Sequence, residues 1–337
     1  MKTLFAETGV FEKDFILNAY QGKECAAVCL PENAQDLTCD FSKVEMLSVF
    51  IKSRVDEKLL QKFTNLKLIT TRSTGFDHID LAACQARGIA VANVPAYGEN
   101  TVAEHAFALI LSLSRNLRKA YLRTLQNDFR LEGLMGFDLK GKTLGVIGTG
   151  RIGLHVIRIG LGFGMTVIAS DVKEQSFLAE VLGFKYLPLE ELLSQSDILS
   201  LHTPFLPQTR HLINDRTIEK IKPGAILINT SRGGLIDTGA LVKALDRGIL
   251  SGAGLDVVEE EEYLLEEKRL QQEDSSQEEH WRHLQTTLKN HVLLQRENVI
   301  YTPHMAFYSR EAVIRILETT IENIDAFHSG KSLNRVA

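Results

Sequence analysis

The sequence predicts an α/β protein built from two doubly wound parallel-sheet domains, and three observations carry that prediction. Short apolar runs with strand character alternate with helical segments along most of the 337 residues. A glycine cluster, Gly148-Thr149-Gly150-Arg151-Ile152-Gly153, stands between an apolar strand and an apolar helix. The cluster lies near the middle of the chain, so a separate domain must occupy the residues before it.

Before the cluster, strands are expected at Lys2–Ala6, Ala26–Leu30, Leu47–Ile51, Lys67–Thr70 and Ile89–Val91, with helices at Asp56–Phe63 and Ile79–Ala86. Thr101-Val102-Ala103-Glu104 has the form of a capping box and opens an apolar helix to about Ser114, read here as the connector between domains. Lys142–Ile147 is the next strand, Ile152–Phe163 a buried helix, and Met165–Ala169 a second strand ending at Asp171. Strands at Ile198–Leu201, Ala225–Asn229, Gly252–Asp256 and Val299–Tyr301 then alternate with helices around Leu189–Ser194, Thr217–Ile221 and Thr238–Asp246. An amphipathic helix over about Arg310 to Phe327 comes last, and no internal repeat is visible. One domain is expected to comprise residues 1–99 with 305–337, and the other, inserted in it, residues 100–304. A ligand is expected in the cleft outside the strand ends.

The glycine cluster has the G-x-G-x-x-G form of a dinucleotide fingerprint in its strand-turn-helix-strand context. Gly148 allows the tight turn, Gly150 lets backbone approach a pyrophosphate, and Gly153 lets helix and strand pack closely. The phosphates would sit on the free N–H groups at the helix start, where the dipole is positive. Asp171 follows Gly148 by 23 residues, at the end of the second strand, where a carboxylate accepts the ribose hydroxyls. A 2′-phosphate would meet that charge, and Val172 supplies no compensating arginine; Lys173 alone argues the other way. The competing view, that Asp171 merely caps the next helix, fits poorly because helical signals resume only after Glu174. NAD is therefore favoured over NADP, and a Rossmann-type NAD domain is expected inside a flavodoxin-like substrate domain.

Composition narrows the class. Hydrophobic content of 44% and charged content of 24% are ordinary for a globular chain. After Lys2 the apolar run breaks at Glu7, so no secretory leader is expected, and the longest apolar run, Ala106 to Leu113, is far too short to span a bilayer. Cys25, Cys29, Cys39 and Cys84 lack metal or redox spacing, which suits reduced thiols in a cytoplasmic protein. Of the net charge of −5, the segment Glu259 to Glu279 carries −8, leaving the rest at +3. No basic face for nucleic acid and no polybasic membrane anchor follow from that distribution. Most of the acidic run reads as a solvated helix face or an irregular excursion.

Three charged residues follow strands in the second half: Arg232 after Ala225–Asn229, Glu261 after the strand ending at Asp256, and His304 after Val299–Tyr301. Loops at the carboxyl ends of parallel strands converge on a ligand crevice, so these three side chains are expected to meet around one substrate. Gly-Thr-Gly-Arg-Ile-Gly, Ser-Arg-Gly-Gly-Leu-Ile-Asp, Gly-Ala-Gly-Leu-Asp-Val and Thr-Pro-His resemble the motif series of the NAD-dependent D-2-hydroxyacid dehydrogenases. Asn93-Val94-Pro95, Ala103-Glu104-His105 and His202-Thr203-Pro204 fit the same series, which runs in order from about Thr71 to Tyr308. Tyr97, His304-Met305-Ala306-Phe307-Tyr308 and Ala312-Val313 are most similar to the fermentative D-lactate dehydrogenases within that family.

The resemblance implies roles. Arg232 would bind the substrate carboxylate and carbonyl oxygen, a bidentate contact that lysine cannot reproduce. The two glycines after Arg232 bring backbone close and argue against a plain surface salt bridge. His304 would act as general acid and base, with Glu261 holding its imidazole and favouring the charged form. Thr74, Gly75 and Tyr97 would contact the substrate. Arg151, Ile152, Thr203, Pro204, Thr209, Thr230, Ser231 and Arg232 would line the path of the cofactor with Gly148, Gly150, Gly153 and Asp171. Asp256 would stand near His304 and the nicotinamide side. No metal is needed for such chemistry, and His105, His280, His283 and His291 read as structural or solvated residues.

One departure stands out. Glu261 and His304 are 43 residues apart, longer than the family's usual interval, and Glu259, Glu260 and Glu262 crowd the same segment. Glu261 is chosen because its distances from Asp256 and Arg232 match the family spacing. The added stretch, Leu264 to Gln295, is left open between a helical lid and an oligomer contact. The expected activity is reduction of pyruvate to D-lactate with NADH. Hydroxypyruvate, glyoxylate or a bulkier 2-oxoacid is the alternative substrate, and an NAD(H)-sensing, corepressor-like interaction protein is the alternative class. A homodimer is expected by analogy, with the apolar connector helix as one possible interface.

Overall fold

The structure is a computed structural model and describes residues 2–23, 25–265 and 277–337. Its chain divides into two units, Met1–Gly98 with Tyr308–Ala337, and Glu99–Phe307. His304 thus belongs to the inserted unit, and the second crossing falls after Phe307.

In the first unit, β1 (Lys2–Phe5), β2 (Ala26–Cys29), β3 (Val44–Val49), β4 (Leu68–Thr71) and β5 (Ala90–Ala92) form a parallel sheet in the order β2-β1-β3-β4-β5. That is the flavodoxin-like doubly wound order. Leu4, Leu47, Val49, Ile69 and Val91 face one apolar cluster. The helix Arg310–His328 packs against β4. It buries Val313, Ile316, Leu317, Thr320, Ile321 and Ile324, the three- and four-residue spacing of one helical stripe. Parallel strands covered on both faces need little polar alternation, which explains their continuous apolar runs.

The second unit holds β6 (Thr143–Ile147), β7 (Thr166–Ser170), β8 (Lys185–Tyr186), β9 (Ile198–Leu201), β10 (Ala225–Asn229), β11 (Leu250–Leu255) and β12 (Val299–Tyr301). Their order is β12-β11-β10-β9-β6-β7-β8, the dinucleotide-binding order with one further strand, and every pair is parallel. Ile226 and Ile228 of β10 enter one core, and Ala225 and Leu227 enter the other, as a strand period of two requires.

Two expectations change. The helix runs over Glu99–Ser114, so Thr101 is a buried residue inside it and not its cap. The Glu104 carboxylate accepts from Asn100 Nδ2 at 3.1 Å, one turn back. A capping box is a local pattern, and here tertiary burial of Thr101 overrides it. This helix is also no free connector: Ala103, Ala106, Phe107, Leu109 and Ile110 lie in the core of the second unit. The helix Leu117–Leu125 and the short strand β8 have no counterpart among the sequence expectations.

Candidate active site

β10, β11 and β12 are neighbours in the sheet, and Arg232, Glu261 and His304 each follow the carboxyl end of one of them. The loops they occupy are in backbone contact. A Cβ on Gly233 would lie 1.9 Å from the Val258 carbonyl oxygen, so only glycine lets the Arg232 loop press against the segment leading to Glu261. A Cβ on Gly234 would meet the Phe205 ring at 2.7 Å. Arg232 itself is half-buried, with its carbonyl held by Asn229 Nδ2 at 2.9 Å and its Nη1 donating to the Ser231 carbonyl at 2.9 Å.

Glu261 Oε1 lies 2.7 Å from His304 Nδ1, and both side chains are partly shielded. With Nδ1 directed to the carboxylate, Nε2 is the nitrogen left to exchange a proton with a bound molecule. His304 has φ +53° and Glu260 φ +55°, left-handed conformations that cost non-glycine residues energy and that surrounding contacts must hold. For His304 those contacts come from Asp256, which is fully buried. Asp256 Oδ1 accepts from Thr302 Oγ1 at 2.5 Å and from Met305 N–H at 2.9 Å, Oδ2 accepts from Ala306 N–H at 2.8 Å, and the Asp256 carbonyl accepts from His304 N–H at 2.8 Å. His105 Nε2 completes the group, 2.9 Å from Thr302 Oγ1 and 3.5 Å from Asp256. Burial alone would raise the Asp256 pKa, but the hydrogen bonds from His105, Thr302, Ala306 and Met305 outweigh it and hold the carboxyl below the ordinary value. Through these contacts Asp256 holds the loop that carries His304.

The crowded glutamates divide their partners. Glu259 Oε1 lies 2.5 Å from His211 Nε2, and its Oε2 accepts from the Thr238 hydroxyl at 3.2 Å. Glu260 lies 3.0 Å from His283 Nδ1. His283 is therefore not the solvated residue expected of it: it packs against Glu260 and Tyr263, whose ring centroid is 4.5 Å away. Glu262's side chain and residues 266–276 lie outside the described residues, as does that part of the question about the added stretch. Within the described part, the helix Gln277–Leu294 supports the segment through Asn290 Nδ2, which donates to the Glu259 carbonyl at 2.8 Å.

The nucleotide side follows β6, β7, β9 and β10. Gly148 has φ +97°, and a Cβ there would lie 2.5 Å from the His202 carbonyl oxygen. On Gly153 it would lie 2.0 Å from the Gly148 carbonyl oxygen. On Gly150, the residue just before the helix Arg151–Gly162, a Cβ would meet nothing within 4 Å. The protein thus has its own need for the outer glycines and none for the middle one, which fits a group approaching that backbone from outside. Arg151 and Ile152 form the first turn of that helix. Asp171 Oδ2 accepts from Thr149 N–H at 2.6 Å and Oδ1 from Lys173 N–H at 2.9 Å. Burial would raise its pKa, but these N–H groups and the Thr149 hydroxyl outweigh it, so the carboxyl stays below the ordinary value and negative.

Thr203 Oγ1 and Thr230 Oγ1 are buried without a hydrogen-bond partner among the described residues, the state expected of hydroxyls that await a polar ligand. The hydroxyls of Ser231 and Thr209 differ, since they hold turns together: Ser231 Oγ donates to Leu201 O at 2.8 Å and Thr209 Oγ1 to Pro204 O at 2.7 Å.

In the first unit, Thr74 and Gly75 follow β4, and Tyr97 follows β5 with its carbonyl accepting from Arg315 Nε. The Ser73, Thr74 and Gly75 carbonyls are all taken, by Val94 N–H at 3.1 Å, Asn93 Nδ2 at 2.8 Å and Ser73 Oγ at 2.6 Å. The N–H groups of Thr74 and Gly75 find no acceptor among the described residues. Arg72, fully buried beneath, donates to Ser48 Oγ and to the Ala6 and Glu7 carbonyls at 2.7–3.0 Å. Sequence spacing gave no sign of this buried cation or of the Glu259–His211 pair, and Thr302, though part of the Thr-Pro-His motif, was not foreseen as a partner of Asp256.

Comparison with known proteins gives the family of the chain. The family described as D-isomer specific 2-hydroxyacid dehydrogenase, NAD binding domain, matches residues 107–306. A D-lactate dehydrogenase of Escherichia coli is 38% identical over 290 residues, covering 86% of this chain and 84% of that protein. A glyoxylate reductase of Aeropyrum pernix is 34% identical over 323 residues, covering 94% and 89%. The crystal structure of D-lactate dehydrogenase from Aquifex aeolicus, complexed with NAD and lactic acid, superposes with a TM-score of 0.86 at 39% identity, covering 97% of this chain and 96% of that one. This chain belongs to the NAD-dependent D-2-hydroxyacid dehydrogenases.

Proposed function

We propose that this member of the family reduces a small 2-oxoacid, with pyruvate to D-lactate as its main reaction, and that Arg232, Glu261 and His304 carry it. The observation that carries the reading is the 2.7 Å contact between Glu261 Oε1 and His304 Nδ1 beside the Arg232 loop. Bound NADH supplies the hydride. Arg232 holds the carboxylate and the carbonyl oxygen, drawing electron density from the carbonyl carbon. His304 gives its Nε2 proton to that oxygen as the alcohol forms and takes it back in oxidation. Glu261 fixes the ring by holding Nδ1 on its carboxylate. The N–H groups of Thr74 and Gly75 receive the carboxylate, and Tyr97 covers the substrate.

The fingerprint glycines, the first turn at Arg151 and Ile152, Asp171, and the hydroxyls of Thr203 and Thr230 hold the cofactor in this reading. Pro204, Thr209, Ser231 and Asp256 shape the loops around it. The Asp171 carboxylate, with Val172 beside it, selects the ribose hydroxyl over a 2′-phosphate.

Among the described residues no helix is long and apolar enough to cross a membrane, and a cytoplasmic location is proposed on that and on the sequence. A homodimer is proposed as well, on a surface other than the connector helix, whose apolar residues are buried within its own unit. Leu117, Tyr121, Leu125, Leu131 and Met135 expose their side chains on the helix Leu117–Leu125 and the loop after it, an apolar area suited to a second copy.

Glyoxylate, as in the relative from Aeropyrum pernix, is the second substrate to weigh. A methyl group changes discrimination by only about 1–3 kcal/mol, so pocket shape decides. NADH absorbance followed with pyruvate, glyoxylate, hydroxypyruvate and phenylpyruvate tests the reading. The highest kcat/KM is expected with pyruvate. Preference for another 2-oxoacid moves the substrate assignment, and negligible turnover with all four points to a sensor.

A further inference from the structure

We propose that a relay of three buried or half-buried amides, Asn334 to Asn323 to Asn93, aims the N–H groups of the Thr74–Gly75 loop and thereby sets affinity for the substrate carboxylate. The proposal rests on the reading of that loop as the carboxylate site, and all its residues lie in the first unit.

A trans peptide is planar and carries its C=O and N–H in opposite directions. Whatever holds the carbonyl of one residue therefore aims the N–H of the next. Val94 N–H holds the Ser73 carbonyl, so the Thr74 N–H points the other way. Asn93 Nδ2 holds the Thr74 carbonyl at 2.8 Å, so the Gly75 N–H also points away from β5. Both donors lack an acceptor among the described residues, and the bonds beneath them fix two neighbouring N–H groups on one side of the loop. A pair of N–H groups directed alike is what a carboxylate binds.

Asn93 is itself held at both backbone atoms. Asn323 Nδ2, on the helix Arg310–His328, donates to the Asn93 carbonyl at 2.8 Å, and Asn93 N–H donates to the Asn334 carbonyl at 3.1 Å. Asn334 Nδ2 closes the set by donating to Asn323 Oδ1 at 2.9 Å. Asn93 and Asn323 are 7% and 2% exposed, so an amide turned out of this arrangement would leave buried polar groups unpaired. The segment carrying Asn334 is fastened to β5, with Val336 N–H on the Val91 carbonyl at 2.8 Å and Val91 N–H on the Ala337 carbonyl at 3.0 Å. Asn334 has φ +51°, a conformation that asparagine tolerates and glycine adopts freely. Asn334→Gly therefore removes the side-chain donor and leaves the backbone bonds in place.

The experiment compares Asn334→Gly, Asn323→Asp, Gly75→Pro and the wild type in full-length enzyme, measuring kcat, KM for pyruvate and the Kd for NADH without substrate. Asn323→Asp keeps the acceptor for Asn334 and loses the donor to Asn93; Gly75→Pro removes one proposed carboxylate donor outright. The proposal expects Asn334→Gly and Asn323→Asp to raise KM about fivefold, the size of one neutral hydrogen bond, with kcat and NADH affinity unchanged. A raised KM in Gly75→Pro with unchanged KM in both amide variants overturns the relay and spares the loop reading. An unchanged KM in Gly75→Pro overturns the loop reading and the proposal with it. Parallel losses in KM, kcat and NADH affinity in Asn334→Gly, the variant built to keep its backbone, mark general loosening and overturn the relay as well.

Discussion

A guanidinium offers a planar fork that grips a carboxylate and a carbonyl oxygen together, whereas an ammonium is a point charge. Arg232→Lys should accordingly lose about 1.5–3 kcal/mol of transition-state binding, a loss of roughly 10- to 100-fold in kcat/KM for pyruvate. Steady-state kinetics check this, and near wild-type values would remove Arg232 from the site. Asp256 acts on a different quantity. Asparagine in its place cannot accept from both Met305 and Ala306 N–H, leaving a buried donor unpaired at a cost of about 1–3 kcal/mol. The Asp256 pKa is depressed in the folded protein, so its charge stabilises the fold fully above the unfolded carboxyl value of about 4, and that stabilisation is lost as pH falls through the folded value. The difference in Tm between wild type and Asp256→Asn should be flat above about pH 5 and shrink below about pH 4. A difference that stays constant down to pH 3 would contradict the assignment. At this scale the sequence reading went far with charged residues and little further. Glu261 was separable from its neighbours through the family resemblance, whose spacing from Asp256 and Arg232 it matches, and the structure pairs it with His304. The partners of Glu259 and Glu260 were not legible, because His211 and His283 reach them through folding and no local pattern joins them.

The elements around the fingerprint make a sharper test than the glycines' presence. Gly153→Ala would drive a methyl group to 2.0 Å from the Gly148 carbonyl, and overpacking of that kind costs about 1–3 kcal/mol. Gly150→Ala meets open space, and its extended backbone, φ −67° and ψ −172°, suits any residue. Thermal unfolding without cofactor should separate them, with Gly153→Ala melting lower and Gly150→Ala melting like the wild type. NADH titration should reveal a weakened Gly150→Ala. Unimpaired NADH binding there would refute the argument that the middle glycine exists for the dinucleotide. Element boundaries were most legible where an apolar strand is covered on both faces: β9, β10 and β12 and the helix Thr238–Asp246 fall where the periodicity puts them. They were least legible at Thr101, where a capping pattern occurs two residues inside a helix that begins at Glu99. An acidic residue in the first turn complements the helix dipole, so Glu99 and Thr101 send competing signals that only packing resolves.

For the molecule as a whole, alternation of strands and helices sufficed to foresee both sheets, since parallel strands require crossovers and crossovers require helices on both faces. The strand orders then follow the two doubly wound patterns. Association is another matter, because exposed apolar side chains on Leu117–Leu125 and the loop after it become visible only once the rest of the chain has buried its own. Light scattering should give a dimer mass for the wild type, and Leu131→Asp with Met135→Asp should shift it towards monomer, while an unchanged mass would assign that face to something else.

The chemical claim has its most direct test in His304→Gln, assayed with pyruvate and NADH alongside a binding titration for NADH. Loss of the general acid should lower kcat by about 10²- to 10⁴-fold and leave NADH affinity within a factor of two. Turnover within a few fold of the wild type would contradict the assignment of proton transfer to His304.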